Sequence, residues 1–87
     1  MAKHTYPIVF ILNEETKLYN GFIPDLCIYV QGEKMEDVYA EAEDIMYAYF
    51  KLANKHDIEY PEPTALTDVI AKWKGYKASL LSTTVPD

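Results

Sequence analysis

The sequence predicts an α+β domain: a three-stranded antiparallel meander, one long helix packed on one sheet face, then a short helical segment and a final strand. Three observations predict it. Apolar and β-branched residues gather in short runs near the amino terminus, at Tyr6–Leu12, Leu18–Ile23 and Cys27–Val30. One stretch places Met35, Val38, Tyr39, Ala42, Ile45, Met46, Tyr49 and Ala53 at steps of three and four, the period of a single buried helix face. The chain has 87 residues, 49% of them apolar, which supplies one core and one domain spanning 1–87.

The first run, YPIVFIL, starts with Pro7 near its end, where a missing backbone donor is tolerated on an edge. Its nearly continuous apolar character calls for cover on both faces, one by the helix and the other by a second chain. Asn13 to Lys17 has hairpin-loop length. Leu18 to Ile23 then returns with Leu18, Asn20 and Phe22 on one face and Tyr19, Gly21 and Ile23 on the other.

After Pro24-Asp25-Leu26 the short run Cys27–Val30 forms a third strand, ended by Gln31-Gly32. The helix begins near Lys34 or Met35 without a Ser, Thr or Asp cap. Acids stand around its first turn (Glu33, Glu36, Asp37) and Lys51 and Lys55 in its last, which complements the helix dipole. Pro61 and Pro63 stop it and make 54–63 a crossing segment. Thr64 is placed to cap a short helix running to about Trp73, with Leu66, Val69, Ile70 and Trp73 on one face and Gly75 ending it. Tyr76 to Val85 alternates as the last strand.

Composition narrows the function. Eight Lys+Arg against 14 Asp+Glu give a net charge of −6, the wrong sign for a phosphate-backbone binder, so no direct nucleic-acid contact is expected. The single cysteine, Cys27, excludes an internal disulfide framework and a cysteine metal cluster. No apolar run reaches the length of a membrane span, and a soluble cytoplasmic protein is expected. Gly21, Gly32 and Gly75 are too far apart for a phosphate loop, and no nucleophile has a base at a local spacing. The chain is therefore not expected to be an enzyme, and no catalytic residue, metal ligand or cofactor is assigned.

His4 and His56, near chain and helix ends, read as solvated, Asp25 as a turn-former, and Cys27 and Trp73 as core. The acidic series from Glu33 to Asp44 admits three readings: a solvated helix face, a landing surface for a basic protein, or a cation site. At 100° per residue Tyr47 falls away from the apolar stripe, beside Glu43, Phe50 and Asn54, and a large aromatic on a polar face marks an interface.

Five pieces of sequence in order, Tyr6-Pro7-Ile8-Val9-Phe10, Phe22-Ile23-Pro24-Asp25-Leu26, Gln31-Gly32, Met35-Glu36-Asp37-Val38 with Ala42, and Pro61-Glu62-Pro63-Thr64, resemble the HicB-like antitoxin family. That family reads YP and three apolar residues, PDL after an apolar residue, QG, a LEEA-type helix start and a PEP-S/T segment before a closing strand. The likeness spans essentially the whole chain. It implies a β-β-β-α-β domain of reduced RNase H-like type that binds a HicA toxin, a small basic ribonuclease, and inhibits it by covering the catalytic site. It departs from the pattern in two places: Cys27-Ile28-Tyr29 stands where the family has Pro-Gly-Cys, and Lys34 where it has a Thr or Ser cap.

Many such antitoxins carry a carboxy-terminal operator-binding domain. No such DNA-binding domain is read in these 87 residues. The expected partner-binding residues are Glu36, Glu43, Tyr47 and Phe50, and the expected assembly is a homodimer or higher oligomer through the outer sheet face or the Tyr76–Val85 edge. The alternatives are a generic protein-interaction module and a residual metal-dependent RNase H-like nuclease using Asp25 and helix acids.

Overall fold

The computed structural model describes residues 2–86. It contains β1 (Ala2–Leu12), β2 (Tyr19–Ile23), β3 (Ile28–Gly32), α1 (Met35–Lys55), α2 (Leu66–Lys72) and β4 (Lys77–Val85). The four strands form one antiparallel sheet in the order β3-β2-β1-β4, the α+β arrangement expected from the sequence. The closing strand pairs with the first, so β3 and β4 are the two edges.

β1 begins four residues before the expected Tyr6. Lys3, His4 and Thr5 carry no strand pattern of their own and are ordered by Thr84, Thr83 and Ser82, nearly 80 residues away in the chain. Pro7 consequently sits in mid-strand and not near its end. The position tolerates it because β2 pairs with β1 only from Val9 onward, so no neighbouring strand awaits its missing N–H.

On the front face α1 lays Val38, Ala42, Met46 and Phe50 against Tyr6, Ile8 and Leu81, all of them buried. These helix residues are four apart, and a row at that spacing drifts about 40° around the helix with each step. The buried row therefore ends on Phe50, which the 100° projection put outside the stripe, beside Tyr47. Ile45, expected within it, is 38% exposed. Close approach also depends on Gly21: a Cβ there would lie 2.4 Å from Val38 Cγ1. Only glycine lets the helix come so near the sheet.

The back face is covered by the chain itself and not by a second chain alone. α2 packs on β1 and β4 with Val69 buried, and Trp73 meets Phe22 edge-on at 5.6 Å. This cover is narrow. Ile70, expected on the buried face of α2, is 49% exposed, Trp73 is half-buried, and Leu80 and Tyr29 stand outside the cover. Cys27, expected in the core, is exposed, because it takes the left-handed turn position (φ 54) between β2 and β3 and leaves Leu26 to point inward.

Candidate protein-binding face

Residues 57–65 carry the chain from the end of α1 on the front face to α2 on the back. Two pieces of the sequence pattern meet in this strap. Both carboxylate oxygens of Asp25 accept from Thr64, one from its N–H at 2.9 Å and one from its hydroxyl at 2.6 Å. Thr64 is thus committed to the turn after β2 and caps nothing; α2 starts one residue later, with Ala65 at its cap and no side-chain bond there. Asp25 is a turn residue in the structure, and its second role, tying PDL to PEPT, had no signal in local spacing.

The Tyr6 hydroxyl donates to the Pro61 carbonyl. Burial, reinforced by Tyr60 and by the nearby Glu62 and Asp25, pushes the Tyr6 phenol up to about 12, so it stays a donor at any physiological pH. His4, expected in solvent, stacks face to face on Phe50 at 3.8 Å and meets Tyr60 edge-on at 5.3 Å. Its Nε2 is buried without a protein partner, and burial lowers its pKa below the ordinary 6.5. Strap, β1 and the end of α1 are joined by one aromatic cluster.

Phe50, expected at the contact surface, lies instead in the core. It is fully buried beneath His4, Tyr6, Tyr49 and Tyr60, and it cannot present a contact surface in this arrangement. The physical cause is the drift of the buried row described above. The other three expected residues share one flank of α1. Glu36 and Glu43 are exposed, and Tyr47 is half-buried against the core with Lys51 Nζ 5.8 Å from its ring centre.

The first turns of that flank lie beside the free edge of β4. Glu36, Met35 and Tyr39 wall a groove of about 340 Å³ with Phe10, Lys77 and Ser79, and the Tyr39 hydroxyl donates to the Leu80 carbonyl at 3.1 Å. The sequence reading found the acids on the helix and the open edge separately. Their adjacency follows only from β4 being the strand beside β1. Among the described residues no group of three or more His, Cys, Asp or Glu is placed to hold a metal ion. No helix among them is long and apolar enough to cross a membrane.

No protein-family model matches the sequence, and no curated protein pairs with it at a significant level. Solved structures do. The crystal structure of the N-terminal domain of Burkholderia pseudomallei antitoxin HicB superposes with a TM-score of 0.82 at 14% identity, covering 93% of this chain and 99% of that one. A chain of the HicA3 and HicB3 toxin-antitoxin complex superposes with a TM-score of 0.67 at 17% identity, covering 97% of this chain and all of that one. Both superpositions extend over nearly the full length of each chain, and this chain has a HicB-like antitoxin fold.

Proposed function

We propose that this chain is a non-enzymatic antitoxin that binds a small basic ribonuclease of HicA type and neutralises it by covering its active site. The observation that carries the reading is the whole-domain likeness to a HicB antitoxin domain and to a chain of a toxin-antitoxin complex. Charge agrees with it. A net −6, with Glu36 and Glu43 exposed on one helix flank, raises the encounter rate with a cationic protein and disfavours direct binding to RNA.

In this reading Glu36, Glu43 and Tyr47 contact the toxin, Phe50 holds the far end of α1 in the core, and the work takes place in the cytoplasm. The half-covered back face, with Tyr29 62% exposed, serves a homodimer or higher oligomer. The test is a titration of the chain into RNA cleavage by the HicA-type toxin encoded beside it. Cleavage should stop near one equivalent per toxin; undiminished cleavage at a clear molar excess would sink the proposal. Light scattering of the chain alone at high micromolar concentration should show more than a monomer mass, and a pure monomer would remove the oligomer from it.

A further inference from the structure

β4 is an outer strand of nine residues whose far side pairs with nothing among the described residues. Its register fixes which groups point outward. Opposed residues of an antiparallel pair either exchange both ladder bonds or neither. Pro7 has no N–H, so the Pro7–Leu80 pair exchanges neither, and the N–H and C=O of Leu80 face away from β1. By alternation Ala78, Ser82 and Thr84 do the same. The Tyr39 hydroxyl on the Leu80 carbonyl agrees with this assignment.

Open edges are normally blunted by charge, proline, a bulge or a covering element. Here the cover is one hydroxyl, and the strand carries a single charge, Lys77, at its start. From Val69 to Pro86 there is no acid at all, although the chain has 14. One acid of α1, Glu36, stands beside the edge. Met35 lies by Lys77 and Ser79, Tyr39 by Leu80, and Phe50 over His4, whose register partner is Thr83. α1 thus runs alongside β4 in the same sense; Glu36 lines the groove beside the edge, and the helix period puts Glu43, two turns on, along the same flank.

Two occupants fit a free edge, and charge separates them. A second copy paired through β4 about a two-fold axis would keep both α1 helices on one face of the joined sheet. Glu36 and Glu43 of each copy would then confront the same pair across the seam, a like-charge arrangement. A basic partner meets no such opposition.

Resting on the antitoxin reading above, we propose that the toxin docks by adding one extended segment to the free edge of β4, with its cationic side chains against Glu36 and Glu43 and one apolar side chain in the groove between Phe10, Met35 and Tyr39. The backbone bonds supply register and the α1 flank supplies selection for positive charge. The apolar groove holds the strand at one end.

Amide hydrogen exchange tests this on the unaltered chain, free and bound to a catalytically inactive form of the same toxin. In the free chain Leu80 and Ser82 should exchange far faster than Leu81 and Thr83. In the complex they should slow by about tenfold or more. A complex that forms and leaves Leu80 and Ser82 exchanging at their free rates overturns the edge assignment while leaving the antitoxin reading standing. Absence of any complex sinks both. Protection of these amides in the toxin-free chain that grows with its concentration assigns the edge to a second copy and also overturns it. Ser82→Pro, which removes one outward donor and the side-chain bond to Thr5 but leaves the backbone ladder to β1 intact, should weaken toxin binding about tenfold. Unchanged affinity of a folded S82P chain counts against the proposal.

Discussion

The two faces of the sheet are finished to different degrees. In front, a 21-residue helix packs a row of fully buried side chains on the sheet, and the row closes at its far end on the His4–Phe50–Tyr60 cluster. Behind, a seven-residue helix offers one buried residue, Val69, and a half-buried tryptophan whose indole N–H is buried without a protein partner. The lesson is a division of labour. The front face carries the stability of this small domain, and the back face has surface left over for contact.

The largest test of that contrast is truncation on each side. Phe50→Ala should cost about 3–5 kcal/mol, the range for a fully buried aromatic, as measured by chemical denaturation. Trp73→Ala removes a larger side chain but should cost clearly less, because Trp73 is only half-buried. Equal losses would break the comparison.

An intermediate effect sharpens it. Gly21→Ala puts a methyl group 2.4 Å from Val38 Cγ1 and 3.0 Å from Val30 Cγ2, inside the tightest part of the front face. Overpacking of this kind should cost about 1–3 kcal/mol, visible as a lowered denaturation midpoint. An alanine variant as stable as the parent would show that α1 is free to shift away from the sheet.

The smallest effect is electrostatic. Burial holds the His4 pKa below its unfolded value of 6.5, so at mildly acid pH the unfolded chain binds more protons than the folded one. Stability is therefore full above about 6.5 and falls as pH drops through that value toward the folded pKa, then levels off. The groups facing His4 are Tyr6, Lys3, Tyr60 and Glu62, and Phe50 from α1. Denaturation midpoints at pH 7.5 and 5 should differ less in His4→Gln than in the parent. An identical pH dependence in both would place the acid sensitivity elsewhere.

Where the sequence reading went wrong, the same cause recurs. Strand types, the start of α1 at Met35 and the faces of β2 were legible because each rests on residues within a few positions of one another. Phe50 was misplaced because a projection with a fixed centre ignores the tilt of a helix across a sheet. His4 read as solvated because its partners, Phe50 and Tyr60, come from two distant elements. Thr64 read as a cap because the carboxylate that claims its hydroxyl lies 39 residues earlier. The acids of the candidate face were visible in sequence; the groove and the open edge beside them were not.

By itself the sequence determined the α+β class, the acidic balance, the long helix and the order of the elements, since these follow from periodicity, composition and turn chemistry along the chain. The tertiary structure decided that the final strand lies beside the first, that α2 covers the back of the sheet, and that Glu36 and Tyr39 stand beside an unpaired strand. Those choices are made by long-range pairing and by the angle at which α1 crosses the sheet, and neither quantity is written in any local stretch of residues.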